Sequence, residues 1–147
     1  MLRERVVKIY VGFVIVVLFL TAIAKFWSMT GSSGVFDEQD PITRLPFQLL
    51  MLMAATLEIG VAAVCIIAKP VYGLLSIAWL SSLMVTYRVC LAWVGWRKPC
   101  SCLGNITDAL HVDPFVADII MRCVLGVMLL GSASLLVVLM RQRITLT

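Results

Sequence analysis

Histidine is nearly absent from this chain. Its one copy, His111, cannot furnish a histidine-rich metal or haem site, and no Cys-x-x-Cys-His is present for covalent haem attachment. Charge is also sparse, at 14% of 147 residues. The twelve basic residues exceed the eight acidic ones but form no basic stripe, and no series of base-stacking aromatics accompanies them, which argues against nucleic-acid binding. There is no internal repeat. Proline occurs five times, at Pro41, Pro46, Pro70, Pro99 and Pro114, each at or near the end of a long apolar run.

Those runs dominate the chain. Hydrophobic residues make up 62% of it and the mean hydropathy is +1.05, well above the level of a soluble globular domain. A bilayer-spanning helix takes about 20 residues, and four segments are long enough: residues 6–27, 45–68, 71–95 and 115–140. The expected fold is an all-α membrane protein, an antiparallel four-helix transmembrane bundle, with residues 1–147 forming a single transmembrane domain. Lys69-Pro70 joins the second and third spans so tightly that they are antiparallel neighbours, with Pro70 suited to a first helical turn. Asp40-Pro41 and Leu45-Pro46 mark where the chain turns back into the membrane, and Asp113-Pro114 reads as N-cap and first helical position of the last span.

Basic residues accumulate on the cytoplasmic side of short loops. Arg3, Arg5 and Lys8 precede the first span, Lys69 follows the second, and Arg141 and Arg143 follow the fourth, so both termini are expected in the cytoplasm. The other two connections carry mixed charge, with Asp37, Glu38 and Asp40 against Arg44 in one and Arg97 and Lys98 against Asp108, His111 and Asp113 in the other. The N-terminal segment also imitates a cleavable signal peptide, with a basic start, an apolar run from Val11 to Leu20 and Ala22-Ile23-Ala24. Cleavage there would leave three spans. The four-span reading retains it.

Between the third and fourth spans lies Pro99-Cys100-Ser101-Cys102-Leu103-Gly104. The expected topology puts this pair on the extracytoplasmic side, where disulfides persist. A disulfide between residues two apart closes a very small loop. It restrains the unfolded chain little and is strained, so it exchanges readily, the character of a shuttle and not of a staple. Arg97 and Lys98 beside it favour a thiolate. A metal site is the weakest reading, because two thiols and one histidine do not make four ligands. The other cysteines, Cys65, Cys90 and Cys123, fall within apolar helices and read as small core hydrophobes, although Cys90 with Cys123 would suit a second redox couple.

Ionisable side chains inside the spans are the remaining signal, since each costs free energy at membrane depth. They are Lys25, Glu58, Arg88, Asp118 and Arg122. All fall in the half nearer Cys100 and Cys102 or at the midplane. Side chains tilt toward their own helix N-terminus, which makes a Glu58–Arg88 pair feasible, and Asp118 with Arg122 has i to i+4 spacing with the acid first. The bland reading is a set of ion pairs that fix helix register. In the functional one, Glu58, Arg88, Asp118 and Arg122 support the cysteine pair by stabilising a thiolate or relaying a proton.

The arrangement resembles the MauE proteins of methylamine utilisation and the related DoxX-like membrane proteins. The resemblance rests on Thr21-Ala22-Ile23-Ala24-Lys25-Phe26, on Leu57-Glu58-Ile59-Gly60 and above all on Pro99-Cys100-Ser101-Cys102-Leu103-Gly104. It implies a multi-pass protein of the bacterial inner membrane that acts in thiol-disulfide redox chemistry with a periplasmic thioredoxin-like partner, and in MauE itself in maturing a disulfide-rich dehydrogenase subunit. The bundle is also similar to that of vitamin K epoxide reductase, an analogy that suggests a quinone as electron acceptor. Two functions thus compete: a membrane thiol-disulfide oxidoreductase using Cys100 and Cys102, and a non-enzymatic subunit that anchors or assembles a larger complex.

Overall fold

The computed structural model describes residues 2–29, 39–95 and 113–144. Four helices account for nearly all of them: α1 Leu2–Met29, α2 Phe47–Ile67, α3 Pro70–Trp93 and α4 Pro114–Ile144. Each is long and apolar enough to cross a membrane. The expected all-α, four-span architecture is what forms, with end points shifted by a few residues.

The shifts have local causes. Residues 45 and 46 were expected inside the second span, but Pro46 lacks an N–H and takes an extended ψ of 135°, so the helix opens at Phe47. At the end of α3, Val94 and Gly95 were also expected to be helical. Gly95 instead adopts φ 78°, a left-handed conformation that stops the helix, with its N–H donating to the Ala92 carbonyl at 3.2 Å. Pro70 occupies the first turn of α3 as expected. The Asp113 carboxylate accepts from the Phe115 amide at 2.9 Å, capping α4.

α1 packs chiefly on α2 and α4 on α3, while the α2–α3 hairpin joins the two pairs. The core is layered along the bundle. Val14, Leu18, Val61, Ala62, Ile77, Leu80 and Met128 form its middle, and Val7, Leu74 and Leu136 form a second cluster toward the chain termini. These clusters fix the alignment. One end of the bundle, the terminal end, carries both termini and the Lys69 connection; the other, the loop end, carries the α1–α2 and α3–α4 connections. Arg5, Lys8, Lys69 and Arg141, all exposed, gather toward the terminal end.

Outward faces are apolar. Leu20, Ile67, Trp93, Phe115 and Leu130 are all more than 60% exposed, as side chains bathed in lipid would be. A close approach of α1 and α4 depends on Gly131. A Cβ built there would lie 2.5 Å from the ring of Tyr10, whose hydroxyl donates to the Met128 carbonyl at 2.7 Å.

Candidate functional site

Eight polar or charged side chains are buried among the described residues: Thr21, Lys25, Ser28, Asp40, Glu58, Ser81, Asp118 and Ser132. All but Ser132 lie between the midplane and the loop end. The interior is therefore divided into a polar half and an apolar half.

At the deeper level of the polar half, Lys25 Nζ donates to Glu58 Oε1, and both side chains are shielded. The Thr21 hydroxyl sits 3.1 Å from Glu58 Oε2. The Glu58–Arg88 pair expected from the sequence does not form, and the reason is geometric. Lys25 projects back toward the terminal end along α1 and Glu58 projects toward the loop end along α2, so the two meet across the most extensively packed helix pair. The Lys25 ammonium accordingly lies deeper in the bundle than its own Cα.

Arg88 has a nearer acid. Its Nη1 donates to Asp118 Oδ1 at 2.7 Å, and Arg122 Nη2 lies 2.6 Å from Asp118 Oδ2, the expected i to i+4 pair. One carboxylate thus holds two guanidinium groups between α3 and α4. Arg88 is largely enclosed, whereas the Arg122 side chain is 70% exposed.

Nearest the loop end, Asp40 is enclosed by the turn it organises. Its Oδ2 accepts from the Thr43 amide at 2.7 Å, the Thr43 hydroxyl at 2.8 Å and the Ile42 amide at 3.1 Å. Tyr87 reaches up from α3 and donates to Asp40 Oδ1 at 2.6 Å. Burial by itself would raise the Asp40 carboxyl, but the Tyr87, Thr43 and Ile42 hydrogen bonds outweigh it and hold the group below its ordinary value. The turn also forces Arg44 to φ 56°. The sequence marks Asp40-Pro41 as a turn back into the membrane, and Thr43 shortly after it is the signal for a side-chain-capped turn, but nothing local announces Tyr87 as a partner.

Ser81 stands apart. The other described helical serines and threonines each bond back to a carbonyl three or four residues earlier. Ser81 Oγ is buried with no partner. It and Glu58 are about equally far along the hairpin from Lys69-Pro70, which sets them at the same depth.

Cys100, Cys102 and His111 lie outside the described residues. Their segment leaves α3 after Gly95 and enters α4 at Asp113, both at the loop end. Cys65, Cys90 and Cys123 are free thiols. Cys65 is half-buried against the Gly73 carbonyl, Cys90 is half-buried, and Cys123 is exposed. No group of three or more His, Cys, Asp or Glu capable of holding a metal occurs among the described residues.

No curated protein and no solved structure gives a significant match to this chain. A family model, methylamine utilisation protein MauE, matches residues 3–140, a stretch that takes in all four spans almost entirely and the cysteine segment. On that match, and with the four membrane-spanning helices it covers, the chain belongs to the MauE family.

Proposed function

We propose that this protein is a membrane thiol-disulfide redox protein in which Cys100 and Cys102 exchange with an extracytoplasmic thioredoxin-like partner or client. The observation that carries the reading is the polar half of the bundle. Buried charge is concentrated at the end from which the Cys100–Cys102 segment springs, where a thiolate and the protons it exchanges need a polar surrounding. Membership of the MauE family supports it.

In the exchange, one thiolate of the reduced pair attacks a partner disulfide and displaces one partner sulfur as thiolate, giving a mixed disulfide. The second cysteine then attacks the bridging sulfur on its own side. The partner leaves as a dithiol and Cys100–Cys102 as a disulfide, two electrons having passed outward; the reverse sequence moves them inward. Thiol-disulfide exchange itself needs no cofactor. The accompanying topology is the one the basic residues favour, with both termini in the cytoplasm of a bacterial cell and the chain folded as one transmembrane domain.

The test is replacement of both cysteines. The Cys100→Ser, Cys102→Ser protein should accumulate normally while disulfides in client proteins are lost, and a mass-shifting alkylator applied to intact cells should find Cys100 and Cys102 reversibly oxidised in the native chain. Unchanged client disulfides in a variant that still co-purifies with a partner would instead establish the anchoring or assembly role.

A further inference from the structure

We infer that Cys100 and Cys102 are the protein's only thiol-disulfide couple, so that both halves of their cycle run at the loop end, between two protein partners on one side of the membrane. The inference rests on the redox reading and fixes where its electrons enter and leave.

A thiol relay through a membrane advances by disulfide bonds, and two cysteines can be bridged only when their Cα atoms lie within about 7 Å of each other. The chain has five cysteines. Besides Cys100 and Cys102 these are Cys65, Cys90 and Cys123, all in the described helices and all free.

The register of α3 against α4 keeps Cys90 from Cys123. Arg88 Nη1 meets Asp118 Oδ1 across this antiparallel pair. Cys90 lies two residues past Arg88 toward the loop end, about 3 Å, and Cys123 lies five residues past Asp118 toward the terminal end, about 7.5 Å. The offsets add to about 10 Å along the bundle. Side-chain lean widens the gap further. Arg88 leans toward the terminal end and Asp118 toward the loop end, so the Arg88 Cα is the nearer of the two to the loop end. Cys123 is also exposed on the outer face of α4. The second redox couple that these two cysteines would suit therefore does not form.

Cys65 is isolated in a different way. Its Sγ lies 3.7 Å from the Gly73 carbonyl, close to Lys69-Pro70 at the terminal end. Cys90 is 17 residues beyond Gly73 on α3, about 25 Å away. Cys123 faces out of α4, which packs chiefly on α3, and does not approach Cys65 on α2. A disulfide formed at the loop end thus has no thiol at the terminal end to pass to.

The cycle that remains is a same-side shuttle. In one half, a client thiolate attacks the Cys100–Cys102 disulfide, a mixed disulfide forms, and the second client thiol resolves it, so that the client leaves as a disulfide and the pair as a dithiol. In the other half, the pair reduces the disulfide of a thioredoxin-like protein and is itself reoxidised. Summed, two electrons and two protons pass from client dithiol to partner disulfide. None crosses the membrane.

Full-length protein in quinone-free phospholipid vesicles, with the loop end outward, tests this, the state of the pair being read by mass-shifting alkylation. A disulfide peptide added outside should oxidise Cys100 and Cys102, and reduced thioredoxin added outside should return them to thiols. The same reagents sealed in the lumen should leave the pair unchanged. A chain carrying Cys65→Ala, Cys90→Ala and Cys123→Ala should exchange within about twofold of the native rate, since these thiols act as small hydrophobes. Oxidation or reduction of the pair by a lumenal reagent or by a quinone dissolved in the membrane, or loss of exchange in the folded triple variant, would overturn the proposal. A pair that reagents on neither side touch would instead remove the redox reading itself.

Discussion

Lys25 and Glu58, on neighbouring helices, close an ion pair that is almost wholly shielded, with Thr21 at the second carboxylate oxygen. Two charges so placed hold α1 and α2 in one register, because sliding either helix by a turn would strand both. Removing one partner should be far worse than removing both. Lys25→Met is expected to destabilise the bundle by about 3–5 kcal/mol, whereas Lys25→Met combined with Glu58→Leu should recover most of the loss. Unfolding titrations in mixed detergent micelles would measure both. A double-variant loss equal to the sum of the Lys25→Met and Glu58→Leu losses would show that the pair has no coupling energy.

The Asp40–Tyr87 hydrogen bond should make the α1–α2 turn pH-sensitive. The folded carboxyl is held below its ordinary value, so the turn gains stability from ionised Asp40 above that value and loses it as pH falls through the depressed one. Protection of the Ile42 and Thr43 amides, measured as the exchange rate relative to the intrinsic rate at each pH, should therefore fall in acid. Asp40→Asn should remove this dependence, and Tyr87→Phe should speed exchange at all pH values, for a loss of about 1–3 kcal/mol locally.

Gly131 is expected to tolerate no side chain while Tyr10 stays bonded to the Met128 carbonyl. Gly131→Ala forces the ring aside and should cost about 1–3 kcal/mol. Adding Tyr10→Leu should restore part of that, since the added methyl then has room. A thermal melt of the three proteins in one detergent would decide it.

Ser81 offers a change of the opposite sign. Its hydroxyl is buried and unpartnered, so Ser81→Ala removes a desolvated group while leaving almost no void. Stability should be unchanged or rise by up to about 1 kcal/mol. A marked loss would mean that the hydroxyl is bonded in the membrane, with a water between it and Glu58 as the natural candidate.

Much of the architecture is legible in the sequence because lipid allows so few solutions. Four apolar runs, a two-residue connection at Lys69-Pro70 and a capped start at Asp113-Pro114 determine helix count, neighbours and direction. The pairing of charges was only half legible. Asp118 with Arg122 follows from spacing on one helix, but choosing between Lys25 and Arg88 as the partner of Glu58 requires knowing which faces of three helices meet. Side-chain tilt narrows that choice, and packing settles it in favour of Lys25. Tyr87 was invisible for the same reason: its partner lies 47 residues away, in a turn whose own shape depends on the acid they share. Nor does any local rule distinguish Ser81 from Ser82, its neighbour, which bonds back to Ala78 as helical serines do.

The division of the interior into a polar and an apolar half makes the protein electrically one-sided. From the Glu58 carboxylate toward the loop end, a proton or a displaced charge meets Lys25, then the Asp118 cluster and Asp40. Toward the termini it meets Leu18, Val61, Ile77 and Met128, a layer with no ionisable group, backed by hydroxyls of Tyr10 and Ser132 already committed to the Met128 carbonyl. A charge displaced from this level toward the loop end stays among charged partners, whereas one displaced toward the termini would have to cross an uncharged layer.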